Sequence, residues 1–163
     1  MPPARRSRSL DRKARRISEE CLGMRARLLD RAITGVFNAE LQEHGVKLSQ
    51  LNVLIAVARL EPAPPARVAR ALNLEGSTLS RNADRLRASG FLDVEAVDDG
   101  RSKLYVLTDE GGALIEQAFD GWKRAQARAE KLLGGDGVGA LLAFARERPY
   151  EGPYEGPYEG HGG

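Results

Sequence analysis

Between residues 14 and 41 apolar side chains recur at three-and-four spacing, as Ile17, Cys21, Met24 and Leu28, then Leu29, Ile33, Val36, Phe37 and Leu41. That spacing lays one apolar stripe along a long helix. Gly23 and Gly35 lie inside the stripe at about 1 kcal/mol each, so contacts from outside must help to hold it. Gly45 ends the pattern, and Ser49 reads as the N-cap of a second helix through Leu60, with Leu51, Leu54, Ile55 and Ala58 facing inward. Glu61-Pro62-Ala63-Pro64-Pro65 is a rigid break. Proline in a first helical turn removes no needed hydrogen bond, so a short third helix starts there and carries Val68, Ala69 and Leu72. Residues 73–76 form a turn, and a further helix covers about 77–89 with Gly90 as its C′ residue. Residues 91–97 and 103–107 have strand character and flank a polar tip, which predicts a hairpin with a loop longer than two residues. Thr108 caps a second long helix whose stripe runs through Leu114, Ile115, Ala118, Phe119, Trp122, Ala125, Ala129, Leu132 and Leu133. Asp109 and Glu110 suit the positive end of its dipole. Gly134-Gly135-Asp136-Gly137 breaks it ahead of a short last helix through Leu141, Leu142, Phe144 and Ala145.

The order of these elements is mostly α with a small β-hairpin wing, a winged helix-turn-helix. Residues 48–108 form the reading head, and the long helices at 17–44 and 109–147 flank it within one domain, 17–147. Those two helices expose more apolar face than so small a head covers, and a homodimer is the economical way to bury it.

A chain of 163 residues with 42% hydrophobic content builds one core. The net charge is only +2, yet residues 1–16 hold seven Lys or Arg against Asp11 alone. The remaining body is therefore mildly acidic. Residues 1–16 are expected to be a disordered basic leader that suits a polyanion. Residues 148–163 repeat Pro-Tyr-Glu-Gly three times, a composition that builds no core and is expected to be disordered. One cysteine excludes an internal disulfide framework, and no apolar secretion segment follows the basic leader, so the cytoplasm is the expected compartment. The cleanest apolar run, residues 53–58, is stopped by Arg59 far short of a membrane span of about 20 residues.

At about 100° per residue, Leu79, Ala83 and Leu86 fall on one side of the 77–89 helix. Thr78, Arg81 and Arg85 fall on the other, with Asn82 and Ser89 at its margin. Arginine pairs bidentately with guanine and asparagine with adenine, so this face has the chemistry of base edges in a major groove. Ser77 and Thr78, with the free N–H groups of the first turn, suit a phosphate oxygen. A surface helix needs a polar face in any case, and Asp84 dilutes the positive charge. At the hairpin tip Arg101 is placed to enter a narrow minor groove, Asp99 is near enough to orient it, Gly100 permits the turn, and Lys103 suits the flanking phosphate.

The chain resembles the MarR family of multiple-antibiotic-resistance regulators from about residue 21 to 146. The residues that carry the likeness are LSQLNVLIAVARL at 48–60, STLSRNADRLRASGFL at 77–92, DDGRSKLYVLTDEG at 98–111 and the WKRAQARAEKLLG run from Trp122. The Asp-x-Arg wing ahead of Leu107-Thr108 is the most specific of them. The resemblance implies a homodimeric transcriptional regulator, usually a repressor, that binds a palindromic double-stranded operator and is released by a small-molecule effector or an oxidant. Carried over residue by residue, its DNA-binding positions are Ser77, Thr78, Arg81, Asn82, Arg85, Arg101 and Lys103, with Asp99 supporting the wing. The Pro-rich segment before the third helix, the leader and the tail depart from the family's pattern.

In the family's hydroperoxide-sensing branch a cysteine near the start of the first helix is the reactive thiol, and Cys21 stands there. Arg25, one turn on, favours a thiolate, whereas Glu19 and Glu20 oppose it, and Tyr105 is the one tyrosine outside the tail. A structural cysteine is the stronger expectation and a redox switch the alternative. His44 has no second ligand at metal spacing and reads as a solvent-facing or capping residue. No cofactor is expected, and nothing resembles a nucleophile with its base or a phosphate-cradling loop, so an enzyme is not expected. A winged domain serving only protein assembly is the rival class, although it has no use for Arg81, Arg85 and Arg101 together.

Overall fold

In a computed structural model of the chain, described for residues 7–60, 63–97 and 102–147, six helices surround a two-stranded hairpin. The first helix, α1, spans Arg8–Glu20. The sequence placed an unstructured leader there, and the difference has a local cause. Ser7 caps the helix by accepting from Ser9 N at 3.2 Å, and Arg16 pairs with Glu20 at 3.0 Å. The residues between are mostly good helix formers. The expected single helix over 14–41 is in fact two, since Cys21 adopts an extended conformation (φ −67°, ψ 110°). Arg25 stabilises the break by donating from Nη2 to the Ser18 and Glu19 carbonyls, which have no partner in the following helix.

Helix α2, Leu22–Leu41, runs into a 3-10 turn at Gln42–His44 that stops at Gly45 in the left-handed region (φ 68°). Helix α3, Leu48–Leu60, begins one residue before the expected cap. Gln50 Oε1 accepts from Lys47 N and Asn38 Oδ1 accepts from Leu48 N, so these two side chains do the work assigned to Ser49. Helix α4, Pro65–Leu72, opens on proline as expected and ends at Asn73, the one non-glycine with positive φ among the described residues. Helix α5, Gly76–Ala88, closes with Gly90 at φ 76° and a bond from Phe91 N to Leu86 O, the left-handed stop its sequence called for.

Strands β1, Leu92–Val97, and β2, Ser102–Leu107, pair antiparallel from Leu92↔Leu107 to Val97↔Ser102. Ala63 adds a single bridge to Tyr105, tying the segment before α4 to the hairpin. Helix α6 covers Asp109–Glu147 and is interrupted at Gly134 (φ 68°, ψ 166°), where the glycine cluster predicted a break.

Two clusters form the interior. Leu54, Val57, Val68, Leu79, Leu86, Leu92 and Leu114 belong to the head's core. Phe37, Leu41, Leu51, Ala118, Ala125 and Ala129 join α2 and α3 to α6. Each fully buried aliphatic side chain contributes about 1.5–3 kcal/mol. The junction of α2 and α6 is also clamped by charge. Glu40 accepts from Arg124 Nε at 2.8 Å and Arg128 Nη1 at 2.6 Å, and Glu43 accepts from Arg124 Nη2 at 2.5 Å. The two guanidiniums hold the Glu40 carboxyl below its usual pKa, and the carboxylates raise that of Arg124.

Candidate nucleic-acid interface

Helix α5 is placed by its inner face, where Leu79, Ala83 and Leu86 are buried as the periodicity requires. That packing leaves Ser77, Ser80, Arg81, Asp84 and Arg85 exposed and Thr78 half-buried. Arg81 extends along the helix with Nη2 3.4 Å from Thr78 Oγ1 and meets no carboxylate among the described residues. Asp84 leans toward Arg87, at 3.9 Å, on the flank. No side chain caps the start of α5, so the first-turn N–H groups beside Ser77 and Thr78 stand open to an anion.

Asn82 departs from its expected place. It is only 7% exposed, and its Nδ2 donates to the Thr78 carbonyl at 3.2 Å. Lying about 60° from Leu79's side of the wheel, it is drawn inward by the neighbouring apolar residues and meets its hydrogen-bonding need on the preceding turn. The outward-facing candidates left on α5 are therefore Ser77, Arg81 and Arg85, with Thr78 half-buried.

The hairpin leaves α5 at Gly90, and Lys103 is exposed on β2 opposite Ala96, next to the tip. Arg101 and Asp99 lie outside the described residues. Tyr105, on the same strand, is buried beneath the head, and burial together with the nearby Asp84 charge pushes its phenol up.

Cys21 is half-buried, and Arg25 gives its Nη2 to the carbonyls at the end of α1. The side chain expected to favour a thiolate is thus engaged elsewhere. His44 is also not solvent-facing: its side chain is 16% exposed, with Nε2 buried, without a hydrogen-bond partner, and 3.5 Å from Glu43 Oε1. Among the described residues no three His, Cys, Asp or Glu gather as a metal site, and no helix is long and apolar enough to cross a membrane.

Between α3 and α6 lies an apolar cavity of about 240 Å³ lined by Leu51, Ile55, Ile115, Ala118, Phe119 and Trp122. Phe119 and Trp122 stack at its rim, 5.7 Å apart and 14° from parallel. Two features escaped the sequence. Glu40, Arg124 and Arg128 are too far apart along the chain for any spacing rule to join. Asn52 and Arg59 border a second cleft, between α3 and α4, and the one hint was that Arg59 ends an apolar run.

Comparison with known proteins adds to this geometry. A family model described as MarR family matches residues 44–102. The HTH-type transcriptional regulator PecS of Dickeya dadantii is 34% identical over 98 residues, covering 57% of this chain. The uncharacterised HTH-type regulator YwoH of Bacillus subtilis is 31% identical over 87 residues, covering 53%. The chain spans 56% of the length of the first of these relatives and 64% of the second. Among solved structures, a cysteine-to-serine mutant of MarR from Escherichia coli complexed with operator DNA aligns with a TM-score of 0.72 at 22% identity, over 81% of this chain and 96% of that one. BpsR of Bordetella bronchiseptica, whose DNA binding is regulated by 6-hydroxynicotinic acid, aligns at 0.71 and 21%, over 80% and 99%. At those identities the structural likeness establishes a shared fold.

Proposed function

We propose that the chain, whose residues 44–102 match the MarR family model, is a MarR-family sequence-specific double-stranded DNA-binding transcriptional regulator. The observation that carries the proposal is the outer face of α5, where Arg81 and Arg85 stand exposed along a helix whose start is uncapped and whose apolar side is locked into the core. Arg81 and Arg85 read base edges in the major groove, and Ser77 and Thr78 seat a phosphate. Lys103, with Arg101 at the tip and Asp99 beside it, holds the flanking backbone and minor groove.

The regulator acts in the cytoplasm as a homodimeric repressor on a palindromic operator. Support for the dimer comes from apolar side chains that stand exposed among the described residues: Ile17, Leu22, Met24 and Leu28 at one end, and Leu132 and Leu142 at the other. Half-sites are then about 34–36 Å apart, one turn of DNA. A small apolar effector in the Phe119–Trp122 cavity is supported by that cavity's place between α6 and the head. The function is regulation without catalysis.

The test is selection of genomic fragments by the purified chain, followed by footprinting and titration against salt. A paired footprint and an affinity that falls steeply with salt are expected. A single unpaired site, a stable monomer, or indifference to every duplex in dilute buffer would overturn the proposal.

A further inference from the structure

We propose that the cleft between α3 and α4 is a binding site for a medium-chain aliphatic carboxylate. The cleft encloses about 330 Å³, at the small end of ligand pockets, which run from about 300 to 1,000 Å³. Its geometry comes from α3. Asn52 and Arg59 are seven residues apart and so lie two turns from each other on one face, with Ile55 and Ala56 between them. Leu60 and, from α4, Leu72 complete an aliphatic floor. Both polar side chains are exposed, and neither has a hydrogen-bond or ion-pair partner among the described residues.

A lone guanidinium beside an amide, at the edge of a floor without aromatic rings, selects for charge at one end and a flexible alkyl body at the other. The planar fork of Arg59 meets a carboxylate with two parallel hydrogen bonds, and Asn52 donates a third. The alkyl chain covers Ile55, Ala56 and Leu72 and excludes water from them. The Phe119–Trp122 cavity lies across Ile55, which lines both, and its own lining is uncharged; the cation at its rim, Lys123 over the Phe119 ring, is already paired with Asp120 at 2.6 Å. Arg67, whose Nη1 donates to Leu60 O at 3.2 Å, joins α4 to the end of α3 and keeps the cleft's walls together.

The test is calorimetric titration of the full chain, without DNA, with octanoate below its micelle-forming concentration and with octanamide as the neutral match. Expected are one octanoate per chain, at least tenfold weaker binding of octanamide, at least tenfold weaker octanoate binding to Arg59→Gln, and a smaller loss in Asn52→Ala. Phe119→Ala should bind octanoate as the parent does. Circular dichroism checks that the variants fold, and the octanoate-to-octanamide ratio on the parent needs no variant. Equal binding of the two compounds, full affinity in Arg59→Gln, loss in Phe119→Ala, or no binding at millimolar octanoate would each overturn the assignment. Because no duplex is present, failure here is distinct from failure of DNA recognition.

Discussion

Removing the guanidinium at Arg81 separates a base-reading α5 from one that only rests on phosphates. The side chain is exposed, has a single long contact to Thr78 Oγ1 at 3.4 Å, and carries no ion pair among the described residues. Arg81→Ala should therefore leave stability within about 0.5 kcal/mol of the parent, since an exposed helical position loses nothing by becoming alanine. A bidentate arginine-to-guanine pair discriminates against the wrong base by ~1–3 kcal/mol. The expected loss is then roughly 5- to 150-fold in Kd for each half-site. Fluorescence anisotropy on the selected operator, repeated with every base pair of one half-site substituted in turn, reads both quantities. The mutant should lose affinity for the intact operator and become indifferent to the base at one position. Arg87→Ala, whose guanidinium sits on the flank 3.9 Å from Asp84, supplies the contrast and should change binding little. If Arg81→Ala weakens every duplex equally, Arg81 is a phosphate contact, and if it weakens none, α5 does not enter the groove.

The remaining predictions follow from neighbouring contacts. Asn82→Ala should cost about 1 kcal/mol in chemical denaturation, the worth of its bond to Thr78 O, and leave base preference intact; a shifted preference would return Asn82 to the groove. Lys103→Ala and Arg101→Ala should each flatten the slope of log affinity against log salt by about 0.9, and an unchanged slope would detach the wing from the backbone. Glu40→Gln should lower the melting temperature at pH 7. Because the folded-state pKa of Glu40 is depressed, the clamp's contribution is present above the unfolded value near 4.5 and vanishes as pH falls through the folded one, so parent and mutant should converge in acid; a gap persisting there would contradict the charge clamp. Gly111→Ala should destabilise by roughly 1–3 kcal/mol, because a Cβ there collides with the Phe91 carbonyl oxygen and with Leu107; normal melting would show that the junction yields.

The boundaries legible in the sequence were those made by residues with one conformational role. Gly45 and Gly90 hold positive φ, Pro65 opens α4, and Thr108 caps α6 by accepting from Gly111 N at 3.0 Å, each where pattern and chemistry coincide. What escaped depended on partners remote in sequence or on a competition of local terms. The break at Cys21 interrupts no periodicity and is stabilised by a side chain four residues beyond it. His44 and Asn82 both look polar and exposed by residue type. Packing decides otherwise, with the 3-10 turn laying His44 against Gly121 and the inner face of α5 taking in Asn82. The exposed half of the candidate interface was legible because an amphipathic helix announces its free face through its buried one.

The head and α6 are joined directly at the turn that ends α5. Thr108 Oγ1 donates to Gly90 O at 2.7 Å while accepting from Gly111 N, so one hydroxyl bolts the turn that ends α5 to the first turn of α6. Gly111 lacks the side chain that would force the two backbones apart. Farther along, Arg124 and Arg128 fasten α6 to Glu40 on α2. The part of α6 between Thr108 and Arg128, ahead of the break at Gly134, is thus held near both of its ends. An apolar cavity lies between them, where Ile115, Ala118 and Trp122 face Leu51 and Ile55 of α3. If the proposed effector fills that cavity, α3 should shift relative to α6 and carry α5 with it, because α3 and α5 share a close-packed core through Leu54, Val57, Leu79 and Leu86.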